Sequence, residues 1–340
     1  MMKRLQAMTQ HLLNKGLELL GYQAISKAVD MYEWQKNPAK GRHYRREASL
    51  PDGAEEYLHY DNPRYRELED RYAKCHPSVT NSIRWKQGHV RHEDVLYFRG
   101  DNAFVHQRRG LNMNTLGYAL STYYMKAIDT RGLLEKLDED DYFGNFIFKI
   151  DNKLISRDLL DSICETYFLS KHLDLSGMNI LDIGAGYGRL AHRLVSATPT
   201  VNQYFCTDAI AVSTFISEFY TQFRRMNGKV SVIPLDEIED VLESNSIHMA
   251  LNIHSFSECR MSAIEYWLSL LVRHSVPYLM LIPNERGMLG KKLVNKEGQD
   301  MKSVIDRYGY RLMIAEPKYE DPIVQQYGMS PTMYYLFRLR

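Results

Sequence analysis

The sequence predicts an α/β protein: a mostly parallel sheet covered by helices on both faces, preceded by a mainly helical region. Three observations predict it. From about residue 155 onward, short and nearly continuous apolar runs alternate with amphipathic stretches, the pattern of strands buried on both faces. The last two apolar runs, 310–318 and 332–340, are separated only by a loop containing Pro and Gly, which suits an antiparallel closing strand. Before residue 155 the pattern is irregular and rich in tyrosine and charge, and the boundary divides the chain into 1–155 and 156–340.

Each element follows from its own stretch. In the first region, 61–75 and 115–128 carry a helical period, and 89–110 reads as short strands or loops around Arg99-Gly100-Asp101-Asn102. Residues 34–56, with Pro38, Gly41, Pro51 and Gly53, read as loop or linker. In the second region, Ser156 is placed to cap a helix over 156–173, with Asp158 near its positive end. "NILDIG" (179–184) is a buried strand, 187–197 a helix, 203–208 the second strand, 211–226 a helix and 229–235 the third strand. Strand 246–253, helix 261–274 and strand 276–283 complete the alternation. There is no internal repeat.

Bulk properties narrow the class. The chain has 340 residues, 43 Lys plus Arg against 42 Asp plus Glu, and a net charge of +1. That balance argues against a nucleic-acid binder working through a broad basic face. Cys75, Cys164, Cys206 and Cys259 are scattered without metal-like spacing, as in a cytoplasmic protein with reduced thiols. No run is long enough to span a membrane, and no secretory signal is evident. Within residues 1–30, Leu5, Met8, Leu12, Leu13, Leu19 and Leu20 recur at helical spacing beside Lys3, Arg4, Lys15 and Lys27. Such a helix fits the anionic inner face of a membrane as a peripheral contact, its own protein, or a second subunit of a homo-oligomer.

The chemistry concentrates at "ILDIGAGYGRL", 180–190. Gly184, Gly186 and Gly188 stand where the first strand turns into its helix, the place where open parallel sheets collect ligands. Without Cβ atoms, they permit positive φ and close approach of a ligand to the backbone. A dinucleotide fingerprint would need its third glycine where Arg189 stands. Instead Asp182 precedes the turn and Asp208 ends the next strand. Asp182 suits an ammonium or sulfonium better than a pyrophosphate, and Asp208 suits the two hydroxyls of a ribose.

Leu181-Asp182-Ile183-Gly184-Ala185-Gly186-Tyr187-Gly188 resembles motif I of class I S-adenosylmethionine-dependent methyltransferases. That resemblance implies a Rossmann-like sheet with an antiparallel last strand, S-adenosyl-L-methionine as cofactor, and an adenine contact at Asp236 or Leu235. Asp236 reads equally well as a helix N-cap. "NIHSFSEC" (252–259) follows the fourth strand without the Asn/Asp-Pro-Pro-aromatic turn of amino methyltransferases. His254 there is a candidate general base for a hydroxyl. Glu258 would orient it, bind a substrate hydroxyl, or charge the start of the next helix, and Asn252 joins the cofactor set.

With "FRGDNAFV" (98–105) and "SRDLLDS" (156–162), these stretches are similar to the sugar O-methyltransferases of polysaccharide biosynthesis over roughly residues 60–340. Cys259 stands where that family leads us to expect Met. The resemblance implies that 1–155 is a lid or substrate-binding region and 156–340 the catalytic domain. The acceptor would be a glycan or a nucleotide- or lipid-linked sugar. Tyr97, Arg99, Asp101, Asn102, His106, Arg108, Tyr123 and Tyr124 offer aromatic faces and polar tips suited to sugar rings, or pack the two regions together. Arg157 and Asp158 would close over the methionine end of the cofactor, or cap their helix. Asn252, Asn284 and Glu285 are a poor set for a hard divalent cation, so a metal-free reaction is expected. Methylation of another small hydroxylated metabolite, and a cofactor-binding scaffold without chemistry, are the competing readings.

Overall fold

A computed structural model describes residues 49–80, 82–86, 88–107, 113–226, 228–284 and 289–340. The expected amphipathic helix in 1–30, Arg108 and Glu285 lie outside the described residues. The N-terminal region contributes helices α1 (Pro63–Tyr72) and α2 (Thr115–Ile128), several single helical turns, and a small hairpin of β1 (Phe148–Ile150) and β2 (Lys153–Ile155). The described part of segment 89–110, residues 89–107, contains a helical turn at His92–Leu96 and no strand. There the Asp94 carboxylate accepts from the Arg91 amide at 2.8 Å, a local cap that outcompetes extended backbone.

The alternating elements then follow: α3 (Arg157–His172), β3 (Asn179–Ile183), α4 (Arg189–Ala197), β4 (Gln203–Thr207), α5 (Ala211–Phe223), β5 (Val230–Ile233), α6 (Ile238–Ser244), β6 (Met249–Ile253), α7 (Met261–Arg273), β7 (Tyr278–Ile282), α8 (Met301–Arg307), β8 (Tyr310–Pro317), α9 (Pro322–Tyr327) and β9 (Met333–Leu339). Ser156 caps α3, its hydroxyl accepting from the Leu159 amide at 3.0 Å. The short helices α6, α8 and α9 span only 6 or 7 residues each, too few turns to leave a readable period.

Seven strands form one sheet in the order β5-β4-β3-β6-β7-β9-β8. Only β9 runs antiparallel to its neighbours; the other pairs are parallel. This is the Rossmann-like arrangement expected, with the antiparallel strand inserted beside β7. The chain winds outward from β3 to β5 and then returns to β6 on the other side. That makes the carboxyl ends of β3 and β6 the topological switch point, where such sheets open a crevice.

Alternation along β3 feeds two cores. Ile180 packs with α3 and α4 on one face, while Leu181 and Ile183 pack on the other with Phe205, Phe215 and the N-terminal residues Leu68, Phe98 and Phe143. Described N-terminal residues thus share the cores of the sheet. Helix α1 is fastened to α5 by the Arg64–Glu218 pair at 2.6 and 2.9 Å, and by Tyr72 to Thr214 at 2.7 Å.

Candidate functional site

At the end of β3 the backbone adopts positive φ at Gly184 (77°), Gly186 (59°) and Gly188 (85°). A Cβ on Gly184 would lie 2.2 Å from Ser255 Oγ, so this glycine lets the turn pack under the loop after β6. A Cβ on Gly186 would meet nothing within 4 Å. The middle glycine therefore leaves empty space above the main chain, which packing alone does not require. The turn is held from below: Gly184 and Ala185 amides donate to the Thr207 carbonyl at 2.8 and 3.1 Å.

Both expected acids face this space. Asp182 is buried at the end of β3, where it accepts from the Tyr204 hydroxyl at 2.7 Å. Asp208 accepts from the Gly186 amide at 3.1 Å and the Ile210 amide at 3.0 Å. Burial pushes each carboxyl up to about 7, against the opposing hydrogen bonds from Tyr204 and from Gly186 and Ile210. Two carboxylates with few counter-charges around them are poised for a ligand that supplies positive charge and hydroxyl donors.

Between the turn and the N-terminal region lies a cavity of about 350 Å³, within the roughly 300–1,000 Å³ of small-molecule sites. Gly184, Ala185, Gly186 and Tyr187 form one side. Arg84, Trp85, Phe104 and His106 also line it, with the Trp85 and Phe104 rings 5.4 Å apart. His254 stands at the end of β6 in positive φ (70°), its amide donating to the Ile282 carbonyl at 2.7 Å. That strained backbone turns a half-buried imidazole onto the cavity wall. Burial first, then the charge of Arg157, push the imidazole down to about 3, so it is neutral throughout the physiological range.

Glu258 also lines the cavity but is already engaged. It accepts from Arg84 Nη1 at 3.0 Å, Trp85 Nε1 at 2.6 Å and Asn284 Nδ2 at 2.9 Å. Its geometry is that of an anchor for the N-terminal wall rather than of a base or of a group orienting His254. Asn252 sits beneath the turn, its amide donating to the Ile183 carbonyl at 2.8 Å and its oxygen accepting from the Phe256 amide at 2.8 Å. It braces β6 against β3 rather than lining the cavity.

Six other expected residues fall elsewhere. Asp236 forms a two-point pair with Arg71 at 2.8 Å and does not line the cavity; its charge is consumed in fastening α1. Arg99, Asp101 and Asn102 are fully buried. Arg99 bridges Glu139 (2.6 Å), Asp140 (2.5 Å) and Asp158 (3.4 Å). The Asp101 and Asn102 oxygens accept from the amides of Gln107 (3.1 Å) and Phe104 (2.9 Å). None of the three reaches the cavity. Tyr124 likewise sits away from it, its hydroxyl accepting from the Glu320 amide at 3.0 Å. Tyr123 is exposed and donates to Asp151 at 3.1 Å.

Helix α3 supplies residues that local pattern could only half suggest. Arg157 lines the cavity, donating to Asp161 at 2.9 Å and to the His106 carbonyl at 2.8 Å. Lys318, buried, completes the Asp161 pair at 2.5 Å. Arg189, in the place of the missing third glycine, is locked to Glu165 at 2.9 Å. Tyr187 donates its hydroxyl to Asp158. Arg84, Trp85 and Ser255 were missed altogether, because "SIRWK" carries no spacing that marks a binding wall. Among the described residues, no group of three or more His, Cys, Asp or Glu is arranged to hold a metal, and no helix is long and apolar enough to cross a membrane.

No protein-family profile matches the chain, and no curated protein matches it in sequence. Solved structures similar to part of it include a SAM-dependent methyltransferase from Aquifex aeolicus, 16% identical over 53% of this chain and 92% of that one, with a TM-score of 0.41. Magnesium protoporphyrin IX methyltransferase from Synechocystis PCC 6803, solved with bound SAM, is 10% identical over 65% of this chain and 97% of that one, with a TM-score of 0.39. A precorrin-6y C5,15-methyltransferase from Geobacter metallireducens is 14% identical over 50% and 84%, with a TM-score of 0.34. The fold of this chain rests on its own strand order and switch point.

Proposed function

We propose that the chain is an S-adenosylmethionine-dependent methyltransferase, and that its acceptor is a sugar hydroxyl. The observation that carries the first step is the open space over Gly186 beside two under-compensated carboxylates at the switch point, the buried Asp182 and the half-buried Asp208. A ribose suits Asp208, which is fixed by two backbone amides and keeps acceptor capacity toward the cavity. A positively charged methionine end suits Asp182, and Arg157 would hold its carboxylate. When bound, the sulfonium supplies an electrophilic methyl group.

The residues of this chain then have two tasks. The cavity walls hold the acceptor oxygen in line with the methyl carbon and exclude water. The neutral His254 imidazole would take the proton of the acceptor hydroxyl. The ring is neutral and so open to a proton, while burial and the charge of Arg157 lower its proton affinity in the ligand-free protein. The sugar reading is supported by the Trp85 and Phe104 rings, which present apolar faces beside the polar groups of Glu258, Asn284 and Arg84. Incubation with S-adenosylmethionine and a panel of free, nucleotide-linked and lipid-linked sugars tests it. The expected result is a product heavier by one methyl group that retains the methyl under mild alkali, as an ether does. Methylation of a nitrogen, carbon or carboxylate acceptor, with every sugar inert, would contradict the sugar assignment and leave the cofactor assignment standing.

A further inference from the structure

Resting on that reading of the cavity, we infer that the acceptor carries an anionic group, a carboxylate or a phosphate, bound by Arg84 with His106 beside it. Arg84 is one of three arginines among the described residues that line the cavity, with Arg157 and Arg189. Arg189 is bound through both terminal nitrogens to Glu165, and Arg157 through Nε to Asp161 and Nη1 to the His106 carbonyl. Among the described residues, Arg84 makes fewer bonds to oxygen than either. Its one ion pair, to Glu258, uses only Nη1, and that carboxylate is shared with the Trp85 indole and the Asn284 amide. Among the described residues, neither Nε nor Nη2 of Arg84 donates to an oxygen; Nη2 instead lies 3.5 Å from His106 Nε2.

The Arg84 guanidinium on the cavity wall keeps donor capacity for an anion that enters. The guanidinium cannot change its charge, and its planar fork matches a carboxylate or phosphate. Its direction is set by the Glu258 anchor, which also fixes the Trp85 ring that would lie against the sugar. The arrangement therefore joins an aromatic platform to a cation at fixed spacing, as a charged sugar requires and a neutral one does not. Arg157, whose Nη1 donates to the His106 carbonyl at 2.8 Å, would serve the cofactor carboxylate, so that the two anions have separate cations.

The test uses the full chain loaded with S-adenosylhomocysteine, titrated separately with glucose, glucuronate and glucose 1-phosphate, and followed by saturation-transfer NMR and calorimetry. Expected is tighter binding of at least one anionic sugar than of glucose by about tenfold or more, the range of a charge-assisted hydrogen bond. The uronate and phosphate arms identify which anion is meant. In Arg84→Gln the preference disappears while S-adenosylhomocysteine affinity is retained, and Arg84→Lys recovers part of it. Glucose bound as well as both anions, binding of none of the three, or a preference that survives in Arg84→Gln overturns the inference. So does loss of S-adenosylhomocysteine affinity in a folded Arg84→Gln, which would give this wall to the cofactor. Failure of the wild type to bind S-adenosylhomocysteine at all would instead sink the underlying methyltransferase reading.

Discussion

Residues 182–188 and residues 97–107 are both polar, glycine-containing stretches that the sequence nominates for binding, and they have opposite fates. In the first, most of the nominated groups face the cavity: Asp182, Gly184 and Gly186 line it directly, whereas Gly188 does not, a Cβ there lying 3.2 Å from Ser217 Oγ. In the second, Arg99, Asp101 and Asn102 are turned inward and fully buried. There they hold Glu139, Asp140, Asp158 and the local backbone, and only the neighbours Ala103 to His106 reach the cavity. Around the glycine turn, function is encoded by backbone conformation, which a short motif can specify. Around Arg99 it depends on which side of a loop faces the core, which only the tertiary packing decides.

The comparison can be broken at its chemical centre first. His254→Ala should lower turnover by about 10²–10⁴-fold, the range for loss of a general base, while cofactor affinity stays within about twofold. Single-turnover kinetics beside equilibrium binding read the two separately, and undiminished turnover would remove His254 from the mechanism. In the other region, Arg99→Met should act on stability instead. It strands buried carboxylates, at a cost of about 3–5 kcal/mol, read as a lower denaturant midpoint at constant m-value. A stable variant with selectively poor acceptor KM would restore Arg99 to the binding role expected from sequence.

Much of the sheet was legible because most strands are compact apolar runs and helices α3, α4, α5 and α7 are long enough to show a period, unlike α6, α8 and α9. What was lost follows physical lines. Asp236 looked like an adenine contact because it follows β5, yet Arg71, 165 positions earlier in the chain, captures it; no local pattern records so distant a partner. Glu258 looked catalytic because it follows His254, but three donors from other elements occupy it. Asn252 was correctly located beside the turn and wrongly aimed, since its amide is spent on the Ile183 carbonyl beneath it.

Acidity sharpens the contrast further. Asp182 and Asp208 are pushed up to about 7 from an ordinary value of 3.8, chiefly by burial. Folded and ligand-free, these two carboxyls hold protons that the unfolded chain releases, so their contribution to stability falls as pH rises from about 4 to 7 and levels off above, while the lowered His254 imidazole contributes in the opposite sense up to about pH 6.5. Cofactor affinity should move the opposite way, rising through pH 7 as both acceptors ionise. Melting curves with and without S-adenosylhomocysteine between pH 5.5 and 8.5 (about three units spanning the transition) would test the crossing trends. Parallel trends would contradict the assignment of these acids to the ligand. The smallest effect is expected at Asp236→Asn, outside the cavity. Cofactor affinity should be unchanged within about twofold, and stability should fall by no more than about 1 kcal/mol, the scale of a solvent-exposed pair. Thermal melts and calorimetry check both.

The most direct test of the central claim is calorimetric titration of S-adenosylmethionine into the wild type and Asp208→Ala at pH 8. The account predicts one site per wild-type chain and a loss of about 100-fold in the variant, the scale of removing a carboxylate that accepts two hydrogen bonds. No binding to the folded wild type, or equal affinity in the variant, would contradict it.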